Sequence, residues 1–192
     1  MRRTLHILRL AAACAALGVY AHAEQRTFTL DAAKSTIGYT LSGNFHTVHG
    51  TFHFKSGSLQ FDAAGGFATG RFVADPNSGD SGSNARDNRM KRAILETEKY
   101  PEVVFSIDRI EGRVAANGES TVKAHGTLTL HGQAHEVEPL MLIATDANGA
   151  RATCEITIPY VDWGLKNPST FILRVSDKVV LHITAIGKIT AQ

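Results

Sequence analysis

The sequence predicts an all-β protein: an antiparallel sheet wrapped around a single core, as a barrel or a sandwich, with one amphipathic helix between strands. Three observations predict it. Short stretches of apolar/polar alternation recur along the chain. Residues 121–131 are the clearest, with Val122, Ala124, Gly126, Leu128 and Leu130 on one face and Thr121, Lys123, His125, Thr127, Thr129 and His131 on the other. Turn-forming clusters, such as Asp62-Ala63-Ala64-Gly65-Gly66 and Asp146-Ala147-Asn148-Gly149, separate these stretches at hairpin spacing. One helical pattern interrupts the series: Met90, Ala93 and Ile94 recur at i, i+3, i+4, with Leu95 widening the stripe and Arg86, Arg89, Lys91 and Arg92 on the remaining positions.

Residues 1–23 read as a cleaved secretory signal peptide. Arg2 and Arg3 start it, residues 5–20 are largely apolar, and Ala21-His22-Ala23 is an A-x-A cleavage site. The apolar run is too short and wrongly flanked for a spanning helix. A lipoprotein attachment through Cys14 fits less well, because Ala11 stands where a lipobox usually has Leu. The expectation is export, cleavage after Ala23 and one domain over residues 24–192.

That segment holds Arg2, Arg3 and Arg9 and no acid. Of 20 basic residues 17 then remain, against 18 acidic, a net charge of −1. A globally basic surface for nucleic acid is not supported. After cleavage only Cys154 remains, so no internal disulfide can form. It lies on the apolar phase of ATCEITI and reads as a buried, inert thiol.

In order, FTLDAAKSTIGYTL gives a first strand ending near Leu41, and SGNFH is a turn or open loop. Residues 51–55 alternate, with Phe52 and Phe54 on one face. Ser56-Gly57 turns the chain, and Leu59 and Phe61 restart the alternation. Residues 67–74 form another strand of ambiguous phase, since Phe72 and Val73 are neighbours, and residues 75–84 are a polar loop. Ser83 or Asn84 caps the helix, Asp87 sits in its first turn, and Pro101 forces Tyr100 into an extended conformation. Strands follow at 102–110, 121–131, 135–145 and 151–158. PYVDWGLKNPS is irregular, and strands at 171–175 and from 179 to about 189 close the chain. A lone amphipathic helix must lay its stripe on something apolar, here a barrel mouth or a sheet face.

The inward phase combines Phe52, Phe54, Phe61, Val103, Phe105, Ile107 and Leu128 with the small residues Ala124, Gly126, Ala152 and Cys154. Such an interior is either filled by its own side chains or leaves room for one apolar ligand; on the residues alone both readings stand. Arg86 and Asp87 read first as a pair pinning helix to barrel; the sharper alternative has one or two arginines gating the mouth and meeting a head group. His46, His49, His53, His125, His131 and His135 do not stand at metal-ligand spacing, and no nucleophile elbow, P-loop or dinucleotide fingerprint occurs.

Several segments together resemble the YceI-like family of polyisoprenoid-binding, lipocalin-like proteins. FTLDAAKSTIGYTL is similar to its opening strand, VHGTFHFKSGSLQF to its second hairpin, ARDNRM to its Arg-Asp motif, EKYPEVVFS to the strand after it, and GTLTLHGQAHEVE to its Gly-x-Leu-Thr-x-x-Gly hairpin. DWGLKNPSTFILRVSDKV resembles a variant of its closing segment. Lys34 stands where members more often have His. Arg89 stands where many have a His after the Arg-Asp pair, so a head-group contact by that His is not carried over.

The resemblance implies an eight-stranded antiparallel lipocalin-like barrel in the periplasm, without catalytic machinery or cofactor, holding a polyprenyl chain or isoprenoid quinone inside. The ligand-contacting set is then Phe52, Phe54, Phe61, Met90, Ile94, Val103, Phe105, Ile107, Ala124, Gly126 and Leu128, with Arg86 at the mouth. Partners would be the isoprenoid-type lipid, a membrane surface met transiently, and a second copy in a homodimer. The competing reading is a packed barrel acting through its surface, as an interaction protein using Tyr160 and Trp163 or as a metal binder.

Overall fold

The computed structural model describes residues 24–191; the expected leader, residues 1–23, lies outside them. Ten strands build the sheet: β1 (Gln25–Leu30), β2 (Thr36–Ser42), β3 (Thr47–Asp62), β4 (Gly66–Asp80), β5 (Val103–Glu111), β6 (Gly118–Leu130), β7 (Gln133–Val137), β8 (Leu140–Asp146), β9 (Gly149–Ile158) and β10 (Val179–Ala191). All pairings are antiparallel, and β9 with β10 closes the ring.

Ten strands make eight staves, because two staves are interrupted. β1 and β2 both lie between β10 and β3: Phe28 faces Ile189 and Leu59, and Ile37 faces Ile183 and Phe52. A 3-10 turn (Ala32–Lys34) separates them. Asp31 N–H donates to Ile186 O at 2.8 Å, and the Ser35 hydroxyl accepts from Ile186 N–H at 2.9 Å, so the kink stays stitched to β10. The stretch expected as one strand over 28–41 is thus one stave with a break. β7 and β8 likewise share β6, broken at Pro139, where Ala124 N–H donates to Pro139 O at 3.0 Å. Proline lacks the N–H a ladder needs, which is why the strand expected over 135–145 divides there. Closure leaves the sheet an eight-stranded antiparallel barrel.

Other expectations are corrected. Ser56-Gly57 is not a turn. β3 runs through it with a bulge, Phe54 facing Ala74 but Ser56 facing Val73. The extra residue shifts the inward phase from Val48, Phe52 and Phe54 to Leu59 and Phe61, and a slip of one residue turns every side chain to the other face. Gly57 is required there, since a Cβ would stand 2.3 Å from the Phe72 ring. The loop expected from Asp75 to Asn84 is largely strand: pairing resumes at Asp80, opposite Thr51, after an excursion at Pro76 in which Ser78 Oγ accepts from His53 N–H at 2.8 Å. Residues 171–175 are not a strand; Val175 alone forms a bridge, to Gly43.

The helix exists but is composite. α1 (Asn84–Arg89) gives way to a π-turn (Met90–Ile94), in which Leu95 N–H reaches back to Met90 O at 2.8 Å. Ser83 is the N-cap by position, without a side-chain capping bond. The extra residue of a π-turn re-aims the side chains after it, and Ile94 and Leu95 both reach the barrel interior. The segment ends at Glu96 in the left-handed region (φ 47°), whose carboxylate lies 3.0 Å from His131 Nε2 on the β6–β7 turn.

Four connections share one end of the barrel: β2–β3, β4–β5 with the helix, β6–β7, and the long β9–β10 segment. The opposite end is closed by side chains. Phe28, Phe61, Ile107, Ile110 and Val114 form one buried cluster, and Val114 N–H donates to Ala63 O at 3.0 Å, joining two hairpin tips.

Candidate functional site: an apolar cavity with a cationic mouth

The barrel is not filled. A cavity of about 720 Å³ runs through its interior, within the range of about 300–1,000 Å³ usual for ligand pockets. One wall is aromatic, with Phe28 from β1, Phe52, Phe54 and Phe61 from β3, Phe72 from β4 and Phe105 from β5. The facing wall is small: Ala124 from β6, Ala150, Ala152 and Cys154 from β9, and Ala185 from β10. That asymmetry is why space remains.

Among the described residues, polar lining is confined to His46, Ser83, Arg86 and Arg89, with the phenols of Tyr39 and Tyr160, and no carboxylate lines the cavity. His46 belongs to the β2–β3 turn, and Ser83, Arg86 and Arg89 to the helix and its cap, all at the end with the long connections. The outer phase is the polar one, where Arg71–Glu102 (3.0 Å) and His182–Glu155 (3.2 Å) pair in solvent. Membrane-spanning barrels have the reverse pattern, apolar outside and polar within. Among the described residues no helix is long and apolar enough to cross a membrane.

The start of the helix is held by a local network. Asp87 is buried, and its Oδ1 accepts from Ser81 N–H at 3.0 Å and Ser81 O–H at 2.5 Å. Arg86 donates through Nε to Ser81 Oγ at 2.7 Å and through Nη2 to Ser81 O at 2.9 Å. Both side chains therefore converge on Ser81, the pinning role, while Arg86 also borders the cavity. Arg89 borders it too, and among the described residues its side chain has no ion pair or hydrogen bond, which leaves the guanidinium available to an anion. Burial holds the Tyr39 phenol above its ordinary value, with Asp87 adding to the effect and a Ser81 hydrogen bond opposing it.

Every expected contact residue except Gly126 lines the cavity: Phe52, Phe54, Phe61, Met90, Ile94, Val103, Phe105, Ile107, Ala124, Leu128 and Arg86. Gly126 seats the Phe105 ring instead, since a Cβ there would stand 3.0 Å from Phe105 Cε2 and 2.1 Å from Ser106 O. Sequence reasoning missed Phe72, whose phase the β3 and β4 bulges obscure, and the mouth residues His46 and Pro168, which lie in irregular segments, with Leu173 and Val175, whose stretch reads as a closing strand and not as a mouth. Val179, Leu181, Ile183 and Ala185 carried a readable signal in the alternation of the last strand.

Tyr160 is not an outer aromatic. It is buried, its O–H donates to Ser176 O at 2.7 Å, and burial, with Asp177 nearby, pushes the phenol up to about 12. Trp163 stacks on His135 at 3.9 Å. Cys154 is half-buried and borders the cavity, and burial pushes its thiol up to about 11. At neutral pH it is a protonated apolar group, unsuited to nucleophilic work. His125 lies between Glu111 (2.9 Å) and Glu138 (2.8 Å), one on each ring nitrogen, so a single ion could not bridge them. Among the described residues no group of three or more His, Cys, Asp or Glu is placed to hold a metal.

A closed antiparallel barrel, polar outside and hollow and apolar within, with polar groups only at its mouth, is the architecture of an interior-cavity binding protein. Residues 28–186 match the YceI-like domain, and the chain belongs to that family. Solved structures agree on the fold. Burkholderia cenocepacia BcnA superposes with a TM-score of 0.70 at 19% identity, over 82% of this chain and 98% of that one. A polyisoprenoid binding domain from Saccharophagus degradans, implicated in plant cell wall breakdown, gives 0.60 at 20% identity, over 84% and 97%. The Campylobacter jejuni YCEI protein gives 0.53 at 20% identity, over 79% and 84%. Comparison with curated proteins found no match.

Proposed function

We propose that this protein is a non-catalytic periplasmic carrier that holds a long apolar isoprenoid-type ligand, a polyprenyl chain or an isoprenoid quinone, inside the barrel. The observation that carries the reading is the cavity: about 720 Å³ of apolar space whose polar groups all lie at one end. Its shape favours a chain. On β9 alone the lining positions run from Ala150 to Ile158, about 26 Å of strand at the usual rise per residue. A long ligand is also what the energetics require. Twenty buried carbons gain about 16 kcal/mol at the usual value per methylene, against an association cost of about 4–15 kcal/mol; a short chain would not hold. Family membership and the likeness to the Saccharophagus polyisoprenoid binding domain support the isoprenoid class. The periplasmic part of the proposal is supported by Arg2, Arg3 and Ala21-His22-Ala23 in the sequence.

Arg89, and Arg86 beside it, would meet the head group at the mouth. The test is native mass spectrometry of protein recovered from an exporting host, followed by organic extraction. A discrete added mass that extracts as an isoprenoid lipid supports the carrier and names the cargo. A bare chain that also fails to take up added ubiquinone or geranylgeranyl phosphate overturns it. Within that test, Arg89→Gln should weaken geranylgeranyl phosphate about tenfold or more, as loss of a hydrogen bond to a charged group does, and leave geranylgeraniol unchanged.

A further inference from the structure

Two loops that are tied to each other border the cavity at the end that carries the helix. Gly43 bridges Val175, Asn44 N–H donates to Arg174 O at 3.0 Å, and Arg174 N–H donates to Asn44 Oδ1 at 3.0 Å. Asn44 Nδ2 donates to Ile172 O at 3.2 Å. Thr170 N–H to Leu173 O (2.8 Å) and Leu173 N–H to Thr170 Oγ1 (3.0 Å) fold the second loop back on itself, with Phe171 and Ile172 at its tip. The result is three large apolar side chains on one rim, Phe45 at 70%, Phe171 at 94% and Ile172 at 72% exposure. None of the three lines the cavity, but their neighbours His46, Leu173 and Val175 do, so apolar surface continues from the rim into the interior.

The two loops carry cations and no acid of their own, and the flanking Asp177 carboxylate is taken up by Asn167 Nδ2 at 2.6 Å. Residues 42–50 and 163–176 contain no Asp or Glu, and the second stretch carries Lys166 and Arg174. Arg89 joins them from the helix, and among the described residues the side chains of Arg89, Lys166 and Arg174 make no ion pair. Exposed apolar clusters mark contact sites, and aromatic side chains flanked by unpaired cations suit the boundary between anionic head groups and acyl chains.

We propose that the barrel docks mouth-first on anionic phospholipid bilayers, inserting Phe45, Phe171 and Ile172 and setting Arg89, Lys166 and Arg174 against the head groups. This rests on the carrier reading for its purpose: cargo dissolved in a bilayer enters through a mouth that faces the bilayer.

The experiment is flotation with vesicles of phosphatidylcholine alone and with added phosphatidylglycerol. The protein should float with the anionic vesicles, and added salt should weaken the binding. The Phe45→Ser/Phe171→Ser/Ile172→Ser variant should bind about tenfold less or weaker still, while taking up geranylgeraniol from detergent micelles as before. As a second readout, Phe171→Trp emission should be quenched by brominated lipids beyond the quenching of Trp163 alone. Equal flotation of variant and parent, no flotation with either vesicle, or a triple variant that instead converts a dimer to a monomer would each overturn the proposal. Protein that loads isoprenoid from micelles yet never floats sinks the docking and keeps the carrier; protein that floats yet never loads does the reverse.

Discussion

Replacing Cys154 with tryptophan pushes an indole into the cavity from the wall that has room for it. Cys154 sits mid-strand on β9, opposite Met141 and Ile183, and borders the void. Ala124 borders the same cavity from β6, but it is at 0% exposure within a packed cluster, so an indole there must displace packed neighbours before it reaches the void. In a filled core an insertion of this kind costs about 1–3 kcal/mol, and a domain of this size loses about 2–4 °C of melting temperature per kcal/mol. Ala124→Trp should therefore melt about 2–12 °C lower than the parent. Cys154→Trp displaces only empty space and should melt within about 4 °C of it. Ligand separates them further. A site held at 100 times its Kd stabilises the fold by about 2.7 kcal/mol, a rise of about 5–11 °C. Thermal melts with and without geranylgeraniol should show that rise in the parent and little of it in Cys154→Trp. A Cys154→Trp protein that is destabilised as much as Ala124→Trp, yet keeps the full ligand-induced rise, would refute the cavity as the binding site.

Three further outcomes follow from the same geometry. Tyr160→Phe removes a buried donor and leaves Ser176 O without it, so urea unfolding should show a loss of about 0.5–1.5 kcal/mol. Stability should fall at alkaline pH: both raised groups bind their proton more tightly when folded, so their contribution is present below the unfolded value and lost above it. For Cys154 the loss runs from 9.0 to about 11 and for Tyr160 from 10.0 to about 12; denaturant midpoints against pH should show it, and Cys154→Ala should flatten the first part. Gly126→Ala should destabilise by about 1–3 kcal/mol, because its Cβ meets Ser106 O at 2.1 Å and neither backbone can yield cheaply; an unchanged melting temperature would contradict that close approach.

The strands were legible wherever alternation was unbroken. Residues 121–131 show both faces of β6 as the structure has them, with Val122, Ala124 and Leu128 lining the cavity and His125 outside between two glutamates. Legibility failed at irregularities. The Gly57 bulge read as a turn because both start with small, polar residues, and only the ladder shows that β4 pairs straight through it. The helix was legible from Met90 and Ile94, but its π-turn was not, since one extra residue in a single turn is too short a change to stand out from the α period. Gly126 shares the phase of the lining residues without bordering the cavity, because phase alone does not distinguish a residue that borders space from one that makes room for a ring.

The sequence by itself determined the class of the fold, the inward phase of most strands and the place of the helix, because strand and helix periodicities are local properties of neighbouring residues. The tertiary structure alone decided three things. It set the closing of ten strands into eight staves, through β10 pairing with β1, β2 and β9. It left the void, which depends on aromatic and small walls from opposite sides of the ring failing to fill the space between them. It also built the mouth, where Asn44 meets Ile172 and Arg174 across about 130 residues of chain. Such long-range contacts rest on loop backbone bonds and on volumes summed around the barrel, neither of which leaves a period in the sequence.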